Sequence, residues 1–334
     1  MKRTDLKFDA EQQKVLKRYP FQTTDYYLSL AENSPSDPIY RQIMPDIAEL
    51  ADETSSFDPL AEERYKVTER LVHRYRDRVL LLTTGRCFLR CRFCLRKRFW
   101  NGTDNSLPDI TEKQIEDAYN YIIEHKEVHE LLLSGGDVLT LDTEKIDFML
   151  RKFSAIEHLD VIRVGSRLLT VDPDRISGRL LEVLTSYPKV WYMSHFNHPH
   201  EVTEPAAKAA QRLVSKGVII LNQAVLMKGI NDDAETMIEL CQKLSRIKIK
   251  PHYLFHIDPV RGVRHFATGI QKGRELLRAM RGRLSSISTP VFAIDLPDGG
   301  GKVSLQYDYE SSENTFPDIE NSREIYYGTA IEES

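Results

Sequence analysis

Short apolar runs and amphipathic segments alternate from Arg78 to Asp295, and this alternation constrains the fold more than any other feature of the chain. The runs Val79–Thr83, Glu130–Ser134, Val161–Gly165, Val190–Ser194, Val218–Asn222, Pro251–His256 and Val291–Asp295 read as strands. Helical patterns fill the intervals at Thr111–His125, Thr143–Phe153, Pro173–Thr185, Glu204–Lys216, Ala234–Arg246 and Gly273–Arg281. Strand and helix repeating every ~25 to 35 residues is the pattern of right-handed βαβ units on a parallel sheet, and a barrel or partial barrel is its simplest closure. Within Ala234–Arg246, residues Met237, Leu240, Cys241 and Leu244 share one face, which makes Cys241 a packing residue.

The remaining sequence frames this repeat. Residues 1–70 are turn-rich, with helices expected around Asp9–Arg18 and Ile47–Asp52, and read as an N-terminal helical extension wrapped on the barrel domain, 71–310. Residues 311–334 form an acidic tail. The 334 residues carry 46 Lys+Arg against 50 Asp+Glu, so the net charge of −4 offers no general attraction for nucleic acid. No apolar run approaches the ~18 to 20 residues of a membrane span, and the N-terminus lacks the apolar core of a secretory signal. A cytoplasmic enzyme is the expectation, with no membrane or nucleic-acid partner.

Three of the four cysteines, Cys87, Cys91 and Cys94, follow the first predicted strand as C-x3-C-x2-C. Crowding of this kind suits a metal better than a disulfide framework. Three thiolates on one loop can hold three corners of a [4Fe–4S] cluster and leave the fourth iron open; structural zinc wants a fourth ligand, usually from a second pair, and none follows. Six cations without an acid among them, Arg86, Arg90, Arg92, Arg96, Lys97 and Arg98, surround the cysteines. They are expected to neutralise an anionic cluster and to grip a carboxylate. Near the end of the repeat, Asp295 is followed by Gly299, Gly300, Gly301 and Lys302. Glycines admit a bulky ligand close to the backbone, and a lysine after them can reach it, although this segment alone is better explained by a solvated lysine in a flexible turn.

The cysteine spacing resembles the signature of the radical S-adenosylmethionine superfamily, and Ser134-Gly135-Gly136-Asp137 resembles its glycine-rich turn. More closely, the blocks SDPIYRQIMP, DPLAEERY, HRYRDRVLLL, LLSGGDVL, IRVGSRLLTVDPDRI, HFNHPHEVTE, LNQAVLMKGIND and IDLPDGGGK resemble the lysine 2,3-aminomutase family. The resemblance implies a partial (β/α)6-type barrel, a [4Fe–4S] cluster on Cys87, Cys91 and Cys94, S-adenosylmethionine against Ser134, Gly135, Gly136, Asp137, His195 and Gln223, and pyridoxal 5′-phosphate held by Lys302, Arg78 and Tyr75. It assigns Arg96 to the α-carboxylate of L-lysine and Asp258 and Asp295 to its ε-ammonium. Independently of the family, two carboxylates facing one dry pocket repel unless a cation lies between them, which favours lysine over glutamate.

The implied reaction converts L-lysine to β-lysine, with a one-electron donor such as flavodoxin or ferredoxin as partner and a homo-oligomer possible in this family. Two alternatives stand beside it: a branch making (R)-β-lysine for translation elongation factor P, and an iron–sulfur redox protein without mutase activity. The chain departs from longer members in two places. No cysteine follows Cys241 and Asp233 stands near the expected position of a zinc-binding cysteine, so a short form without the zinc extension is expected; Asp298 replaces a glycine before Lys302.

Overall fold

The computed structural model describes residues 6–100, 107–306, 315–317 and 324–326. Nine strands form one sheet in chain order, from β1 (Leu71–Tyr75) and β2 (Arg78–Thr84) through β3 (Glu130–Gly135), β4 (Val161–Gly165), β5 (Val190–Ser194), β6 (Ile219–Leu226), β7 (Lys250–His256) and β8 (Val291–Leu296) to β9 (Gly301–Ser304). Strands β2 to β8 pair in parallel, while β1 and β9 fold back antiparallel on the two edges. Each interval between the seven parallel strands holds one main helix: α4 (Glu112–Glu124), α5 (Thr143–Ser154), α7 (Gly178–Thr185), α8 (Glu204–Val214), α9 (Ala234–Arg246) and α10 (Ile270–Arg281). This is the expected (β/α)6 partial barrel, and every predicted strand is present.

Side-chain alternation explains the layering. On β4, Ile162 and Val164 are buried, while Arg163 lies on the opposite face of the strand. The helices meet the sheet through single apolar stripes, such as Ile115, Ala118 and Ile122 on α4, whose start is fixed by a capping box between Thr111 and Gln114. Cys241 sits fully packed in the main core, and burial pushes its thiol up to about 12.

The structure differs from the sequence reading at three places. The helix expected over Pro173–Thr185 is broken into a short turn, Pro173–Arg175, and α7, because Ser177 is extended and Gly178 adopts φ +49°. A four-residue helix, α6 (Leu168–Val171), stands before that break. The segment after Asp295 is an antiparallel return strand, β9, where a loop was expected, with Lys302 paired opposite Asp295.

The N-terminal extension contains α1 (Ala10–Arg18), α2 (Asp25–Ser29) and α3 (Pro38–Ile43), started by Asp9, Thr24 and Asp37 side chains. Its residues Tyr27, Leu28, Ile39 and Ile43 pack with Leu89 and Val171, which follow the C-terminal ends of β2 and β4. The wrap therefore covers the end of the barrel where the strands deliver their site residues. Most of the acidic tail lies outside the described residues; within it, Thr315–Pro317 pairs with Glu324–Tyr326. No described helix is long and apolar enough to cross a membrane.

Candidate active site

A cavity of about 1010 Å³, open mouth included, lies at the C-terminal ends of the strands. Cys87, Cys91, Cys94, Arg96, Ser134, Gly135, Gly136, Asp137, His195, Gln223 and Asp258 all line it. The cysteine loop turns tightly, with the Cys94 amide donating to the Cys91 carbonyl at 2.9 Å. Burial raises all three thiols, and proximity among them adds to the effect at Cys87 and Cys94, where Cys94 reaches about 11. Such thiols give up their protons on ligating iron, because metal ligands are thiolates. Arg167 opposes the trend at Cys91, donating from Nη1 to its Sγ at 2.9 Å. Among the described residues no three donors converge as they would on one metal ion, and all three cysteines line the same cavity.

The glycine turn is locked by its neighbours. Gly135 has φ +122°, and a Cβ there would stand 2.5 Å from the Thr84 carbonyl oxygen; a Cβ on Gly136 would lie 2.2 Å from that of Arg86. The turn thus sits directly on the root of the cysteine loop, a closeness that only glycine permits. The carboxylate of Asp137 is engaged within the protein, accepting from Leu139 N at 3.0 Å, Ser166 Oγ at 3.0 Å and Arg167 N at 2.9 Å. It ties the ends of β3 and β4 together. His195 stacks on Phe93 at 5.6 Å, and burial, then the nearby Arg167 charge, lowers its pKa to about 3, so the ring is neutral.

The cations around the cysteines do not all face the cavity, contrary to the sequence expectation. Glu49 accepts from Arg92 Nη2 and Lys97 Nζ, each at 2.6 Å, in a fully buried cluster. Glu62 accepts from Arg96 Nη2 at 2.7 Å and Nε at 3.0 Å, and its other oxygen takes Arg98 Nη2 at 2.5 Å. Burial raises the Glu62 pKa, but the two guanidiniums outweigh it and hold the carboxyl at about 2. Arg86 pairs with Asp109 at 2.7 Å. The counter-charges of the cysteine loop therefore come largely from the N-terminal wrap, and Arg96 keeps its Nη1 at the cavity wall, 3.3 Å from Ser134 Oγ.

A second group of site residues gathers around β8 and β9. Lys302 Nζ lies 3.0 Å from Asp295 Oδ2 and 3.8 Å from the centre of the Phe255 ring. Burial lowers the Lys302 pKa, with Asp295 opposing. Arg74 Nη2 bridges Asp295 Oδ1 at 3.3 Å and the Tyr75 hydroxyl at 2.9 Å, and the Arg78 guanidinium stands 3.8 Å from the Tyr75 ring centre. Asp258 joins the two groups: it lines the cysteine cavity and also a neighbouring cavity shared with Asp295. Burial, then the charge of Asp295, raises the Asp258 pKa to about 7. The turn before Lys302 rests on the wrap, since the Asp298 amide donates to the Pro59 carbonyl at 3.0 Å and a Cβ on Gly299 would lie 2.2 Å from the Tyr65 ring.

The family model described as the radical SAM superfamily matches residues 81–241. The chain is 40% identical to the L-lysine 2,3-aminomutase of Clostridium subterminale, over 87% of this chain and 70% of that one. It is 43% identical to an Aquifex aeolicus relative provisionally named for the same enzyme, over 91% of this chain and 83% of the other. The chain belongs to the lysine 2,3-aminomutase family. A glutamate 2,3-aminomutase of Clostridioides difficile is 36% identical over 87% of this chain and 68% of its own length, so substrate choice is a question for individual residues.

The residues present fit the groups this family implies. Three raised thiols around one cavity match a cluster, and a half-buried Lys302 beside Tyr75, Arg74 and Arg78 matches an aldehyde cofactor that bears a phosphate. Sequence reasoning missed Glu62, Arg74 and Arg167. All three stand inside blocks that resemble the family, DPLAEERY, HRYRDRVLLL and IRVGSRLLTVDPDRI, but pattern and spacing alone give none of them a partner. Asp233 caps α9, its Oδ1 accepting from Thr236 N at 2.9 Å.

Proposed function

We propose that this chain is a cytoplasmic L-lysine 2,3-aminomutase that converts L-lysine to β-lysine. The observation that carries the substrate assignment is the pair Asp258 and Asp295 beside Lys302, with the Arg96 guanidinium at the wall of the cavity that Asp258 also lines. Arg96 marks one end of this site and two carboxylates mark the other, with Asp295 already paired to Lys302 and Arg74; the arrangement complements an α-carboxylate and a distal ammonium on one molecule. A glutamate side chain would bring a second carboxylate toward Asp258 and Asp295 and be repelled.

Cys87, Cys91 and Cys94 would hold the cluster, the turn Ser134–Asp137 with His195 and Gln223 would line the S-adenosylmethionine site, and Lys302, Arg78 and Tyr75 would hold pyridoxal phosphate. When bound, these groups supply a 5′-deoxyadenosyl radical, made with one electron from a flavodoxin- or ferredoxin-type donor, and an aldehyde that captures the migrating amine. The chain's own residues do the rest by position. Arg96 anchors the carboxylate, the two aspartates hold the ε-ammonium, and Asp258 releases its proton when that ammonium arrives to balance it. The wrap and the apolar walls close the site around a radical that oxidants and stray hydrogen donors would quench.

The reading is tested by offering L-lysine, L-arginine and L-glutamate in parallel to anaerobically reconstituted protein with S-adenosylmethionine, pyridoxal phosphate and a reductant. β-Lysine from lysine alone is the expected product. Unchanged lysine overturns the assignment.

A further inference from the structure

We infer that Glu62, a residue of the N-terminal wrap, is a positioning residue that gives the site its selectivity for the α-carboxylate of the substrate by fixing the edge Arg96 presents. This rests on the proposed role of Arg96. A guanidinium has two useful edges, and here they are divided. Glu62 takes the Nε–Nη2 edge at 3.0 and 2.7 Å, while Nη1 donates to Ser134 Oγ at 3.3 Å and to the Gly135 carbonyl at 3.4 Å, at the wall of the cysteine cavity. The clamp is itself rigid. Glu62 is buried, and its second oxygen is engaged by Arg98, which also pairs with Asp58 at 3.1 Å.

Division of edges matters because of what else is in reach. Asp258 lines the same cavity and feels the Arg96 charge. A long, unclamped arginine side chain would turn toward that carboxylate and cancel the two ends of the site against each other, leaving neither free for a molecule that carries both charges. Glu62 holds the positive end away from the negative end. It touches no substrate in this account; its effect passes through Arg96 and is specific to the carboxylate end.

The test compares L-lysine with L-lysinamide, which keeps the ε-ammonium and lacks the α-carboxylate. Dissociation constants are measured by calorimetry on the holoenzyme for wild type, Glu62→Gln and Glu62→Asp, with cluster absorbance as the control for folding. A charge-assisted hydrogen bond contributes ~1.5–3 kcal/mol, so wild type should prefer lysine by at least about tenfold. In Glu62→Gln that preference should fall below about threefold, through weaker lysine binding with lysinamide unchanged, and KM should rise while kcat at saturation holds. Glu62→Asp keeps the charges on Arg96 and Arg98 but retracts the fork; it should also lose preference, and it carries the test where Glu62→Gln does not fold. A preference that survives both substitutions overturns the inference. Wild type without any preference instead overturns the reading of Arg96, a separate and visible failure.

Discussion

Lysine binding should depend on pH through one named carboxyl, Asp258. Its pKa stands near 7, raised first by burial and then by Asp295. An ε-ammonium placed against this pair requires both carboxylates ionised, so the competent form of the free enzyme is the one that has lost the Asp258 proton. With a pKa of about 7, about one site in eleven is competent at pH 6 and about ten in eleven at pH 8. The apparent Kd for lysine should therefore fall about tenfold from pH 6 to pH 8, a change of about 1.4 kcal/mol, and then level off until the lysine ε-amine itself titrates near ~10.4. In Asp258→Asn the slope should vanish and affinity at pH 8 should drop.

Stability gives an independent check on the same group. Because the folded pKa exceeds the ordinary 3.8, the folded state keeps a proton that the unfolded chain loses between about pH 4 and 7, and stability falls as pH rises through that window. Asp258→Asn removes this loss, so the ligand-free variant should be more stable than wild type at pH 8, by up to ~4 kcal/mol, and equal to it at pH 4. Calorimetric titration with lysine at several pH values, with thermal unfolding of the same samples, reads both effects. A flat Kd between pH 6 and 8, or an Asp258→Asn variant that keeps the wild-type slope, refutes the reasoning.

Other substitutions probe the supports of the site. Glu49→Gln leaves Arg92 and Lys97 buried without their anion and should cost ~3–5 kcal/mol, lowering Tm by about 10 °C, while Lys113→Ala at the exposed pair with Asp117 should leave Tm unchanged. Arg167→Gln removes the hydrogen bond to Cys91 Sγ and should lower the reduction potential of the cluster by about 60 mV, equivalent to ~1.4 kcal/mol for one electron, in an EPR-monitored titration; an unchanged potential counts against that contact. Gly299→Ala drives a Cβ into Tyr65 and should reduce retention of pyridoxal phosphate, read from its visible absorbance. Asp298 holds φ +56°, the left-handed region that favours glycine, so Asp298→Gly should be tolerated or stabilising by ~1 kcal/mol, and a loss of Tm would contradict that reasoning.

The seven parallel strands were legible because each is a short apolar run bounded by helical periodicity, as Val161–Gly165 illustrates. The edge strands were not. Strand β9 spans Gly301–Ser304, too short and too mixed for any period, and its existence depends on the exposed edge of β8. Cysteine spacing and the glycine turn announced one half of the site, because both are local requirements. Glu62 could not be matched to Arg96, nor Glu49 to Arg92, since these pairings join segments more than thirty residues apart and nothing periodic links them. Glu49 even carries a misleading local explanation, as the N3 acid of a capping box that starts at Asp46.

The wrap has a consequence for anyone seeking the smallest active barrel. A chain begun at residue 71 would retain all seven parallel strands and every cysteine, yet Arg92, Arg96, Lys97 and Arg98 would be left facing one another without Glu49, Asp58 and Glu62. Mutual repulsion would splay the very loop that must gather three thiols. Glu49, Asp58 and Glu62 thus act as the ionic counterpart of the cysteine loop, supplied from elsewhere in the chain.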